Sequence, residues 1–162
     1  MNRPPPIFKG HDAVERAVEA LRAGGLVGMP TETVYGLAVD ATNPEAVARL
    51  YAAKGRPRFN PLISHVGSLE LALGEGEFDA RALELAETFW PGPLTLVVPV
   101  TASTRSCALA RAGLETIGLR MPRHPLALEL LIRHGGPVAA PSANISGRLS
   151  PTCAGDVAEA FG

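Results

Sequence analysis

Glycine and proline cut this chain into short apolar runs, and that segmentation limits its possible folds more than any other feature. Seventeen Gly and 15 Pro are spread through 162 residues. They fall between apolar segments instead of gathering in one tract, so they mark turns at the ends of many brief elements and not a linker.

The runs themselves alternate in kind. Asp12 to Arg22 reads as a helix: Val14, Ala17, Val18 and Leu21 share a face, Asp12 and Glu15 form a capping-box-like pair, and Gly24-Gly25 stops it. Leu26 to Met29 is a short buried strand, broken by Pro30. Thr31 to Ala41 begins as a loop and runs into a short helical or extended piece. Asn43-Pro44 is an N-cap followed by Pro at the first helical position, and Gly55 ends that helix. Pro61 to Val66 is a strand. Asp79 caps a further helix with Leu83, Ala86 and Phe89 inward, ended by Trp90-Pro91-Gly92-Pro93. Leu94 to Val100 and Thr116 to Met121 are strands, Leu126 to Ile132 is helical, and Val138 to Ala140 returns to the sheet. A last helix starts at about Asp156. Helices alternating with short strands predict an α/β fold with helices packed on a sheet, without revealing strand order.

At 46% hydrophobic and 19% charged residues the chain can bury an ordinary core, and its length suits one domain over 1–162. A formal net charge of −1 gives no global attraction to nucleic acid, so polyanion binding needs a local basic patch. Cys107 and Cys153 stand in no metal-ligand or C-x-x-C spacing and read as free thiols of a reducing compartment. Met1-Asn2-Arg3-Pro4-Pro5-Pro6 lacks the apolar core of a signal peptide, and no run reaches the length of a membrane span. A soluble, cytoplasmic protein without a membrane partner is expected.

Three clusters place polar residues at element ends, where loops face ligands. Pro30-Thr31-Glu32-Thr33-Val34-Tyr35-Gly36-Leu37 sets hydroxyls and an acid directly after a strand, which suits a small polar substrate or, equally, a Thr-stabilised turn. Lys54-Gly55-Arg56-Pro57-Arg58-Phe59-Asn60-Pro61, with Ser64 and His65 after it, gathers three cations at a helix end. Fixed cations bind polyphosphate, and they also complement the negative end of a helix dipole. The third cluster joins Thr116 to Pro122 with Ala139 to Gly147. Arg120 within a buried strand needs a partner, either a ligand or a structural carboxylate. Ser142-Ala143-Asn144 offers two hydrogen-bonding side chains and free backbone amides. There is no G-x-x-x-x-G-K-[ST] loop, and Gly74-Glu75-Gly76 does not extend to G-x-G-x-x-G. G-x-S-x-G, H-E-x-x-H and S-x-x-K are also missing, so ordinary hydrolase and zinc-protease chemistry has no support.

Taken together the clusters resemble the YrdC-like family, whose members make threonylcarbamoyl-AMP. The matching strings are Pro30 to Leu37, Lys54 to Pro57, Asn60-Pro61-Leu62-Ile63-Ser64-His65, Trp90-Pro91-Gly92-Pro93-Leu94-Thr95, Arg120-Met121-Pro122, and Ala140 to Gly147 running on to Ser150-Pro151-Thr152. Each is weak alone, but their shared order is specific. The resemblance implies a twisted mixed sheet enclosing a positively charged central cavity. It also implies an L-threonylcarbamoyladenylate synthase, a nucleotidyltransferase that converts L-threonine, bicarbonate or CO2, and ATP to threonylcarbamoyl-AMP and pyrophosphate. A downstream threonylcarbamoyl-transferase complex then modifies tRNA.

Residue roles follow from the resemblance alone. Thr33, His65, Arg120 and the backbone of Ala140 fall on threonine-binding positions. Lys54, Arg56, Asn60, Thr116, Ser142, Asn144 and Ser150 fall on ATP-binding ones, and Lys54, Arg56 and Arg120 form the catalytic set. Mg2+ held through the phosphates and a contact with tRNA are compatible with this reading, and no protein metal ligand is implied. The family domain usually continues beyond the Ser150-Pro151-Thr152 motif, so 1–162 is expected to lack its C-terminal end. The competing reading is a non-catalytic nucleotide- or RNA-binding module using the same cavity. A carbamoyl-phosphate-using relative of the hydrogenase-maturation type ordinarily carries zinc-finger segments, for which two Cys leave no room.

Overall fold

A computed structural model describes residues 5–162, leaving Met1 to Pro4 of the expected leaderless N-terminus outside the described residues. In chain order the elements are α1 (His11–Arg22), β1 (Val27–Met29), β2 (Gly36–Asp40), α2 (Pro44–Lys54), β3 (Ile63–His65) and α3 (Leu69–Glu75). They continue with α4 (Ala80–Phe89), β4 (Leu96–Pro99), β5 (Thr116–Arg120), α5 (Pro125–His134), β6 (Val138–Ala139) and α6 (Ala154–Ala160). No helix among the described residues is long and apolar enough to cross a membrane.

The strands form one six-stranded sheet in the order β1-β2-β6-β3-β5-β4. β3 and β5 run parallel, and every other neighbouring pair is antiparallel. This is the sheet with packed helices that the alternating pattern predicts, and it is mixed as the family resemblance implies. Successive side chains on a strand point to opposite faces, so the register sorts residues by face. Val39, Ala139, Ser64, Leu119 and Leu96 are aligned across one face. There Leu37, Val39 and Ala139 meet Val47, Leu50 and Tyr51 of α2 and Val157 of α6. Farther along, Val98, Ile117 and Leu119 meet Ala72 of α3 and Ala86 of α4.

The opposite face is covered over only half its width. Met29, Ala38 and Val138 pack against Val14, Val18 and Leu21 of α1 and Leu130 and Leu131 of α5. Past β3 no helix among the described residues covers this face: Val97 of β4 is 69% exposed and Thr116 of β5 is exposed. That bare half, floored by β3, β5 and β4, is where His65 and Arg120 sit.

Several local expectations need correction. Asp12 and Glu15 do not cap α1, because the helix begins one residue before Asp12 and its N-cap is Gly10, which has no side chain to cap with. β1 is not wholly buried: as an edge strand it hides only Met29. Of the two forms expected after Thr31, helical or extended, the chain takes the extended one. Phe89 points outward at 53% exposure, because Trp90 takes the inner place at the end of α4. The Trp90 indole meets Phe78 edge-on at 6.0 Å and donates its N–H to the Leu94 carbonyl at 2.8 Å. α3, capped by the Ser68 hydroxyl, was not anticipated. The Asn43 cap is as expected, its side chain accepting from the N–H groups of Glu45 and Ala46.

Candidate active site

The parallel pairing of β3 with β5 sets His65 directly opposite Arg120 on the uncovered face. Both are buried, at 3% and 8% exposure. His65 cannot take up a proton easily: burial, and then the nearby Arg120 charge, lower its pKa from 6.5 to about 4. It is therefore a neutral imidazole, and its Nδ1 is buried without a hydrogen-bond partner. A buried polar atom left unpaired is costly unless a ligand completes it.

Arg120 answers the question its sequence position raised. Its Nη1 and Nη2 both donate to Thr33 Oγ1 at 3.2 Å, and its Nε donates to the Gly92 carbonyl at 3.3 Å. Nη2 also lies 3.0 Å from Glu32 Oε1, so a carboxylate partner exists and it is Glu32. Burial opposes ionisation of Glu32, yet a backbone hydrogen bond and the Arg120 guanidinium outweigh it and hold the carboxyl below its usual range. Sequence reasoning noted an acid in this motif without pairing it. Nothing local in the sequence joins residues so far apart.

The loop carrying Thr33 is itself a tight turn. Thr31 Oγ1 donates to the Val34 carbonyl at 2.6 Å and accepts from the N–H of Thr33 and of Val34. Thus the turn reading of the first cluster holds for Thr31, while Thr33 turns its hydroxyl to Arg120. Tyr35 then ties three segments together. Its N–H donates to the Pro151 carbonyl at 2.9 Å, and its carbonyl accepts from Ala143 N–H at 2.7 Å. Gly36 pairs with Ser142, and a Cβ at Gly36 would stand 3.1 Å from the Ala140 Cβ, a contact tight enough that Ala140 would have to shift. Ala140 is buried and donates its N–H to the Ile63 carbonyl at 3.0 Å.

The Ser142–Ser146 loop differs from the expectation of free amides. Ala143, Asn144 and Ser146 all have their N–H groups bonded, to the carbonyls of Tyr35, Ser142 and Lys54. Asn144 is 9% exposed, and its side-chain amide donates to the Ile145 and Arg148 carbonyls at 2.9 and 3.0 Å. Its Oδ1 is buried with no partner. The Ser142 side chain is half-buried, and Ser150 is exposed beside the Pro151 that Tyr35 holds.

The basic cluster is split by burial. Lys54 is 1% exposed, the last residue of α2 before Gly55 turns into the left-handed region at φ 58°. Its Nζ donates to the Ser142 carbonyl at 2.6 Å and also to the Asn144 carbonyl. Burial, and then the charge of Arg56, lower its pKa from 10.5 to about 8. Arg56 is half-buried and donates to the Asn60 and Pro61 carbonyls at 3.4 and 3.2 Å. Asn60 also accepts from the Tyr51 hydroxyl at 2.8 Å, so Arg56 and Asn60 form one braced turn. Arg58 is exposed. Ser64 faces away from the site, toward Ser106 at 3.3 Å on the other side of the sheet. Thr116 shares the Arg120 face but lies at the other end of β5, about 13 Å along the strand.

Thr33, His65, Arg120 and Ala140 thus form one constellation, and Lys54, Ser142 and Asn144 a second, joined through Tyr35 and Gly36. Thr116 and Ser150 lie at the margins. Chemically, the first offers a guanidinium, a hydroxyl and a neutral imidazole to a small anion. Among the described residues no group of three or more His, Cys, Asp or Glu side chains could hold a metal ion.

Comparison with known proteins bears on this arrangement. Residues 19–162 match the family model Sua5_yciO_yrdC, described as "Telomere recombination". The chain is 48% identical over 146 residues to the threonylcarbamoyl-AMP synthase of Bacillus subtilis, covering 90% of this chain and 42% of that protein. It is 50% identical over 142 residues to the synthase of Pyrococcus abyssi, covering 87% of this chain and 41% of that one. The chain therefore spans less than half the length of these two relatives. A crystal structure of P. abyssi Sua5 complexed with L-threonine superposes with a TM-score of 0.87 at 48% identity, over 91% of this chain and 43% of that one. With sequence, family model and fold agreeing across all but its first residues, the chain belongs to the Sua5/YciO/YrdC family.

Proposed function

We propose that this chain is a threonylcarbamoyl-AMP synthase, joining L-threonine, bicarbonate or CO2, and ATP to give threonylcarbamoyl-AMP and pyrophosphate. The observation that carries the reading is the buried Arg120, held by Thr33 and Glu32 opposite a neutral His65, on the sheet half that no described helix covers. It is supported by two relatives named threonylcarbamoyl-AMP synthase and by the L-threonine complex of a structure sharing this fold.

In this reading Arg120 and Thr33 receive the carboxylate of L-threonine, and the Ala140 backbone and His65 complete its pocket. The unpaired His65 Nδ1 gives the ligand a group to satisfy. Carboxylation of the amine yields a carbamate anion that must approach the α-phosphate, so fixed cations are needed to screen the two anions. Arg120 and Arg56 supply that charge. Asn60, Ser142, Ser150 and Thr116 are assigned to the nucleotide by the family resemblance, and orientation would supply much of the remaining rate. Mg2+ would be bound mainly through the phosphates, since the described residues offer it no carboxylate cluster. The product would pass to a transferase complex acting on tRNA, in the cytoplasm.

The test is pyrophosphate release from ATP with threonine or bicarbonate omitted in turn, and mass spectrometry of the adenylate. Release that requires both is expected. Nucleotide binding without release would replace the enzyme with the binding-module reading, and release without threonine would refute the substrate assignment.

A further inference from the structure

We infer that Lys54 is a positioning residue, a clamp that shapes the Ser142–Ser146 loop from beneath and does not itself touch the nucleotide. This rests on the reading of Ser142 as an ATP-binding residue. The expectation it replaces is that Lys54 is a phosphate ligand of the basic cluster.

The geometry leaves the ammonium little freedom to serve a phosphate. At 1% exposure the side chain is enclosed, and two of its three N–H groups are committed to the Ser142 and Asn144 carbonyls. Those carbonyls flank Ala143, so one point charge draws both peptide groups toward the end of α2. The backbone closes the same loop from the other side, as Ser146 N–H donates to the Lys54 carbonyl at 2.9 Å. Ala143 N–H is taken by Tyr35 at 2.7 Å, and Asn144 N–H by the Ser142 carbonyl at 3.0 Å. The loop is thus anchored at each end by one residue, through its side chain at 142 and 144 and its main chain at 146. With both carbonyls gathered around the cation, the half-buried Ser142 is held in place by its main chain. A loop that carries ligand contacts needs such support, because short errors in placement weaken binding and rate steeply.

The sequence makes the inference testable by chemistry. The chain has two lysines, Lys54 and the exposed Lys9, so Lys9 is an internal standard. Amine acetylation of the whole chain is followed by peptide mass spectrometry, with and without ATP, while ATP binding is measured separately by calorimetry. The clamp predicts that Lys54 reacts at least about tenfold more slowly than Lys9, and equally slowly with ATP present. Lys54 reacting as fast as Lys9 and protected by ATP would overturn the clamp in favour of direct phosphate contact. Fast reaction regardless of ATP would overturn it too. If ATP does not bind at all, slow labelling still supports the clamp, while the nucleotide reading fails on its own.

A variant separates positioning from general stability. In Lys54→Met, amide exchange of Ala143, Asn144 and Ser146 should accelerate at least about tenfold while that of the sheet stays unchanged. ATP affinity should fall about tenfold or more, with L-threonine affinity within about twofold. Unchanged exchange of the loop would overturn the clamp. So would equal loss of both affinities, the mark of a general structural defect. If Lys54→Met does not fold, the labelling result on the unaltered chain decides alone.

Discussion

Replacing Glu32 by Gln should destabilise this protein and tighten its binding of L-threonine. The two effects have one cause. Glu32 Oε1 lies 3.0 Å from Arg120 Nη2, with the side chains 21% and 10% exposed, so the pair is neither fully wet nor fully buried. Exposed pairs contribute at most about 1 kcal/mol, whereas breaking a fully buried pair costs roughly 3–5 kcal/mol. Arg120 keeps Thr33 Oγ1 and the Gly92 carbonyl when Glu32 is neutralised, which places this loss near the low end, at about 1–2 kcal/mol. For a domain of this size that lowers Tm by about 2–8 °C. On the proposed reading, a threonine carboxylate approaching Arg120 competes with Glu32, and in Glu32→Gln that competitor carries no charge. The same 1–2 kcal/mol then appears as a gain of about 5- to 30-fold in affinity. Thermal unfolding and calorimetry with L-threonine, without ATP, read both quantities. Weaker threonine binding in Glu32→Gln would show that Glu32 assists the substrate instead of competing with it.

Other consequences follow from the same geometry. His65 has a folded pKa near 4 against 6.5 unfolded, so its contribution to stability is complete above pH 6.5 and is lost as pH falls toward 4. His65→Gln should therefore flatten the fall in urea-unfolding stability between pH 6.5 and 4; an unchanged slope would assign it to other groups. Asn43→Ala removes the acceptor of two N–H groups at the start of α2 and should cost about 1 kcal/mol, read as a lower urea midpoint at constant m. Gly76→Ala would put a Cβ 2.4 Å from Val98 Cγ2 and 3.1 Å from Leu119 Cδ1. Overpacking of this kind costs roughly 1–3 kcal/mol, and unfolding at the wild-type midpoint would show that the strand gives way easily.

Local chemistry was legible in the sequence, and distant pairing was not. Asn43-Pro44, Gly55 and Asp79 announce helix ends because capping acts within a few residues, and each does so here. α3 was missed because seven residues ending beside Gly74 carry too little periodicity. The candidate site was legible as motifs, yet its geometry depends on contacts such as Arg120 to Thr33, 87 residues apart. Lys54 shows the limit best. Three neighbouring cations look alike in a string, and only burial separates the enclosed Lys54 from the exposed Arg58.

The strand order also bears on how the molecule comes into being. β6 is the last strand in the chain, yet it lies between β2 and β3 near the middle of the sheet. Until Val138 and Ala139 are in place, the β1–β2 hairpin and the β3–β5–β4 group have no strand joining them. Glu32 and Thr33 come from the hairpin side, and His65 and Arg120 from the other. The β1–β2 hairpin can form early from local contacts, but β3 finds β5, and β2 finds β6, only across long stretches of chain, and closures of that kind are slow steps. Assembly of the site is thereby coupled to a late event in folding, so a half-folded chain should have no place to gather its substrates.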